Sequence, residues 1–164
     1  MTLKLSYKPD IGIVINDIAL NWGTKRESVR QLLNNQHQAS DVIFPVKPNE
    51  FASSQRRDVY KDYVDLDTYF FLNYDDNNLL RDVEVHYGFD IIVSNVLLSF
   101  ERQLPDIIKD LKAISPSVIE LGEGEYLFKA LKLTIADANA MGSDGDELAY
   151  FYCSVNVDHL IELD

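Results

Sequence analysis

The chain has only one cysteine, Cys153, so no disulfide can close within it, and that fits a reducing compartment. The apolar setting of that residue, AYFYCSVNV, reads as a small core side chain and not as a nucleophile. No apolar run reaches the roughly 18 residues that a membrane-crossing helix needs. The first residues, MTLKLSYKPD, lack the apolar region and small-residue cleavage site of a signal peptide. Both absences point to a cytoplasmic protein with no membrane partner. HExxH, CxxC, a phosphate-binding glycine loop and GxSxG are all missing. His37, His86 and His159 lie far apart, without metal-ligand spacing. The expectations are therefore no catalytic residues, no metal, no cofactor and no enzyme.

Basic residues are scarce too. Across 164 residues there are 15 Lys and Arg against 27 Asp and Glu, a formal net charge of −12. The deficit is uneven: residues 1–88 carry 13 acidic and 10 basic side chains, and residues 89–164 carry 14 and 5. Such a chain repels nucleic-acid backbones and anionic membranes and attracts basic partners. The same charge also serves solubility alone.

What is present is a repeated pattern. NDIALNWGTKRESVRQLL, from residue 16, is echoed by SNVLLSFERQLPDIIKDL, from residue 94, at a constant offset of 78 without a gap. In the first copy Ile18, Leu20 and Trp22 alternate with polar or small residues, the period of a half-buried strand. Gly23 breaks it. Thr24 and Glu27 have the spacing of a capping box, and Val29, Leu32 and Leu33 form the apolar stripe of a helix over about 24–35. In the second copy Val96, Leu98 and Phe100 line the strand. Pro105 suits the first turn of a helix that Ser115-Pro116 ends.

Each copy continues as a meander. The polar connection after the first helix holds a short strand, Val42 to Val46. Tyr69–Tyr74 and Leu79–Tyr87 flank an Asp75-Asp76-Asn77-Asn78 turn. Val118–Leu121, Tyr126–Ala136 and Leu148–Val157 are the strands of the second copy. The fold class is α+β: two tandem strand-helix-meander units forming a twisted, mostly antiparallel sheet with both helices packed on it. Residues 1–164 form a single domain of two similar halves, about 11–88 and 89–164, in a pseudo-twofold arrangement.

Few side chains read as a site. Asp65 and Asp67 would share one face of a strand, and Arg56-Arg57 is a small basic spot that fits a solvated loop or an anion. MGSDGDEL lacks the ligand spacing of a calcium loop and reads as a solvated acidic loop. Tyr60, Tyr63, Tyr69, Phe70, Phe71 and Tyr74 read as core plus strand surface, with a binding face as the minority alternative.

The pattern carried by Ile11-Gly12-Ile13, Leu20, Gly23-Thr24, Glu27, Val29 and Leu32-Leu33, with its weaker second copy through GEYLFKALKLTI, resembles immunity proteins of bacterial toxin systems, including contact-dependent growth inhibition. Asn21-Trp22 stands where the family pattern has leucine. The resemblance implies a cytosolic protein that binds a cognate toxin, often a basic nuclease, and covers its active site. Glu120, Glu123, Glu125, Asp144, Asp146 and Glu147 are then candidate partner-binding residues. The alternative is a non-catalytic protein-interaction or oligomerisation module. Edge strands able to pair between copies leave a homodimer open.

Overall fold

The computed structural model describes residues 2–44 and 53–161. It is a mixed α/β structure with two helices and mostly antiparallel strands. The smaller sheet holds β1 (Leu3–Lys8), β2 (Gly12–Ile15), β3 (Ile18–Asn21), β9 (Phe89–Val93) and β10 (Val96–Ser99), in the order β10-β9-β1-β2-β3. Helix α1 (Arg26–Leu32) follows β3, and α2 (Leu104–Ile114) follows β10. The larger sheet has β4 (Gln38–Ala39), β5 (Val42–Phe44), β6 (Ser53–Lys61), β7 (Tyr69–Tyr74) and β8 (Leu80–Tyr87) from the first half of the chain. From the second it has β11 (Ile119–Gly122), β12 (Glu125–Phe128), β13 (Leu133–Asp137) and β14 (Leu148–Ser154). Its order is β11-β12-β13-β14-β8-β7-β6-β4, with β5 paired to β6.

The single twisted sheet expected from the pattern is thus two sheets. The pair β1–β9 is parallel, because β1 and β9 are joined through most of the first half and not by a hairpin. Leu5, Ile15, Leu20 and Ile91 of the small sheet share one buried cluster with Phe70, Val85 and Phe151 of the large one and with Val29 and Ile107 of the helices. Cys153 belongs to this cluster, and burial raises its thiol pKa.

Several local expectations change. Helix α1 is shorter than 24–35 and has no capping box: its N-cap is Lys25, without a side-chain bond. Thr24 Oγ1 instead donates to the Asn21 carbonyl (2.7 Å), and the Arg26 amide is satisfied by the Asn78 carbonyl (2.8 Å). The turn before β8 thus does what the cap would have done. Tyr126–Ala136 is not one strand. A 3-10 turn at Lys129–Leu131, with Lys132 at φ 53°, folds it into the β12–β13 hairpin. Asp65 ends a second 3-10 turn, Tyr63–Asp65, so it shares no strand face with Asp67. The last strand stops at Ser154, three residues short of Val157. Val42–Phe44 is a strand, whereas residues 45 and 46 lie outside the described residues. The Asp75 turn stands: its Oδ1 accepts the Asn77 and Leu79 amides (2.9 and 3.0 Å). So does Pro105 in the first turn of α2.

Strand β6 lay hidden in the polar connection because its inward positions include charged residues. Asp58 is fully buried between Arg26 and Arg30 of α1. Its Oδ1 accepts from both guanidinium groups at 2.7 Å, and Asp41 takes the far side of Arg26 at 2.7 Å. Burial pushes the Asp58 carboxyl pKa up, but the bonds from Arg30 and Arg26 outweigh that and hold it below the usual carboxylate range. This latch fastens α1 to the large sheet.

Candidate protein-binding surface

The register of the large sheet brings Lys61, Tyr69, Tyr87, Tyr150, Ala136 and Glu125 to one end. Seven strands make that end about 30 Å long at roughly 4.8 Å per strand. The connections that meet there are acidic. The β6–β7 turn carries Asp62, Asp65 and Asp67, all exposed. The β11–β12 turn carries Glu123, and Glu125 opens β12. The β13–β14 connection runs from Asp137 through Asp144 and Asp146 to Glu147.

Backbone bonds tie the last two connections together. The Asp137 amide donates to the Gly124 carbonyl (3.0 Å), and the Ala138 amide donates to the Glu147 carbonyl (3.1 Å). Gly124 has a left-handed backbone (φ 78°), and the Asp137 carboxylate lies where a side chain there would project, so the position favours glycine. The loop also touches α2, where the Leu104 amide donates to the Asp146 carbonyl (2.7 Å).

The six candidate residues thus fall in neighbouring places. Glu123, Glu125, Asp144, Asp146 and Glu147 share the acidic end, with Glu125 and Glu147 half-buried and the others exposed. Glu120 sits back along edge strand β11, exposed and opposite Tyr126. Sequence reasoning missed Asp62 and Asp137. The pattern puts Asp65 and Asp67 on a strand, whereas both lie in the β6–β7 turn.

The opposite end of the sheet differs. Arg56, Arg81, Lys129 and Lys132 gather there beside the Asp75 turn. Three of the cations at or near this end are ion-paired: Arg81 with Asp82 (3.0 Å), Arg57 with Glu84 (2.8 Å) and Lys132 with Asp10. Arg57 is therefore not a free basic spot. By contrast, none of the carboxylates at the acidic end makes an ion pair among the described residues.

Between the two ends, the face turned away from the core carries a polar network. Asn73 Nδ2 donates to Asp82 (2.6 Å) and Glu84 (2.8 Å), and Tyr150 donates to Glu84 (2.7 Å). Burial raises the Asp82 carboxyl pKa, which Arg81 and Asn73 only partly offset. Phe71 and Tyr69 lie on this outer face, while Tyr60, Tyr63, Phe70 and Tyr74 are core. The aromatic run is thus divided between core and surface.

Among the described residues no three His, Cys, Asp or Glu side chains converge as metal ligands would, and no helix is long and apolar enough to cross a membrane. No protein-family model matches the chain, and neither a curated protein nor a solved structure is similar to it.

Proposed function

We propose that this chain is a non-catalytic binding protein that takes a basic protein partner on the acidic end of its large sheet, as an immunity protein for a nuclease-type bacterial toxin would. One observation carries the reading: unpaired carboxylates crowd one end of the sheet, while the arginines elsewhere are spent on internal partners. Unpaired surface charge of one sign steers a partner of the other sign and competes with phosphate for a nuclease cleft. Rows of aromatic side chains beside those carboxylates supply the kind of anchors that interfaces use.

The reading includes a duplicated scaffold in the cytoplasm. A separation of 78 residues relates the hairpins β2–β3 and β9–β10, whose turn residues Asn16 and Ser94 both have positive φ (52° and 54°). It also relates Lys25, bridged to Leu79 before β8, to Gln103, bridged to Glu147 before β14. Strands β8 and β14 lie side by side and antiparallel, with β7 and β13, then β6 and β12, outside them. A pseudo-twofold axis between β8 and β14 accounts for that order.

Co-expression with the product of the adjacent gene tests the function. Survival only when this chain is present supports it, and equal killing with and without the chain overturns it. The open edge of β11, where Ile119 is 38% exposed, favours a second reading as an oligomerisation module. Light scattering across a concentration series separates the two.

A further inference from the structure

The acidic end holds a feature that charge alone does not explain. In the pairing of β7 with β8, Phe70 faces Val85 and Tyr69 faces Tyr87, so His86 is an extra residue without an opposite number. Such a bulge re-aims a side chain. Here it turns His86 into a group of rings, with centroids 5.2 Å from Tyr69, 4.8 Å from Phe71 and 5.4 Å from Tyr150. Tyr87 joins at 5.7 Å from Tyr69. His86 Nε2 is withdrawn from solvent and has no hydrogen-bond partner. A polar atom in that state costs stability unless something else accounts for it.

We propose that the rings of Tyr69, His86 and Tyr87 form the seat for an arginine side chain presented by the basic partner. The inference rests on the reading of the acidic end as a protein-binding surface and names the group recognised there. Three observations carry it. The same face already holds one guanidinium: Arg57 stacks on Phe71 at 4.6 Å and is fixed by Asn73 and Glu84 (2.8 Å each). Its neighbours Tyr69, His86 and Tyr87 are half-exposed rings with no cation stacked on them among the described residues. Next, the turn leading into Tyr69 offers Asp62, Asp65 and Asp67 against Lys61 alone, so the seat is rimmed by negative charge. Last, burial lowers the His86 pKa, with Glu84 opposing, so the ring stays neutral and sets no positive charge against an incoming cation. A planar guanidinium can stack on a ring and donate at its edge together, which an ammonium does less well.

The same turn also holds backbone strain. Val64 sits at φ 49° and ψ 38° with its side chain 38% exposed, a conformation β-branched residues rarely adopt.

The test is an NMR titration of isotope-labelled protein with three capped tripeptides, Gly-Arg-Gly, Gly-Lys-Gly and Gly-Leu-Gly. The arginine peptide should move the ring signals of Tyr69, His86 and Tyr87 saturably. It should bind at least about threefold more tightly than the lysine peptide, and the leucine peptide should leave the rings unmoved. The double variant Tyr69→Ala, Tyr87→Ala should lose the response about tenfold, and Tyr69→Phe, which keeps the ring, should retain it. Equal responses to arginine and lysine, or shifts spread over the acidic loops and absent from the rings, overturn the seat. Concentration-dependent shifts of the same rings without peptide overturn it too, because the occupant is then a second copy. Charge reversal at Glu123, Glu125, Asp144 and Asp146 separates the two ideas. If it abolishes capture of the co-expressed partner while the tyrosine variants still capture it fully, the seat falls and the acidic surface stands. If neither variant changes capture, both fall.

Discussion

The turn between β6 and β7 and the turn between β12 and β13 differ in backbone and in charge. Each contains a short 3-10 turn, but the first has left-handed residues at Asp62, Val64 and Asp65 and the second has one, Lys132. They lie at opposite ends of the large sheet, and under the proposed duplication they are equivalent. One carries Asp62, Asp65 and Asp67, the other Lys129 and Lys132. What distinguishes the ends is how charge is matched. Toward the basic end Asp58 and Asp82 are buried and ion-paired, whereas at the acidic end no carboxylate is in an ion pair among the described residues.

The comparison is broken most directly by removing a matched charge. Asp58→Ala leaves Arg26 and Arg30 facing a cavity, and stability should fall by about 3–5 kcal/mol in urea titration. The wild-type carboxyl, held low by both arginines, stabilises the fold at neutral pH, and that contribution fades as pH drops below about 4. A loss under about 1 kcal/mol would mean that the latch is not structural.

Removing unmatched charge should do the reverse. Glu123, Glu125, Asp144 and Asp146 changed together to Lys should alter stability by no more than about 0.5 kcal/mol per site. Association with a basic partner should slow by roughly 10- to 1000-fold at low salt. Stopped-flow fluorescence and thermal melts on the same samples read both effects.

Asp82 sharpens the contrast within the matched region. Its carboxyl pKa is raised by burial, so ionising it works against folding, and its contribution declines as pH rises from about 4 toward its folded value. Asp82→Asn should therefore compare best with the wild type near pH 7 and worst near pH 4, in urea titrations across that range. A constant difference would show that its hydrogen bonds, and not its charge, set the effect.

The smallest effect is expected where the sequence pattern was most persuasive. Thr24→Ala and Glu27→Gln should each cost under about 0.5 kcal/mol, because no capping box exists, whereas a working cap is worth about 1 kcal/mol. Thermal melts decide it.

Much of the fold was legible wherever burial followed a simple period. Ile18 and Leu20, Val96 and Leu98, and the stripe Ile107–Leu111 announced β3, β10 and α2. Strand β6 was not legible, since Asp58 is buried only because arginines from a distant helix reach it, a pairing no local pattern records. The capping box failed for a related reason: the Asn78 carbonyl, remote in sequence, satisfied the amide first. The acidic loops of the second half could be read from composition. Their meeting with Asp62 and Asp67 could not, because it depends on strand order and register. His86 in the ring group was likewise invisible, since it follows from a one-residue bulge.

The central claim is that the acidic end, and not net charge in general, receives the partner. The most direct measurement is the association rate with the co-expressed basic partner as a function of ionic strength. It would be made for the wild type, for the fourfold reversal at Glu123, Glu125, Asp144 and Asp146, and for a control reversing the exposed Glu27 and Asp158 away from that end. The account predicts a steep salt dependence for the wild type and the control, and a flat, slow rate for the fourfold variant. Equal salt dependence in all three would contradict it.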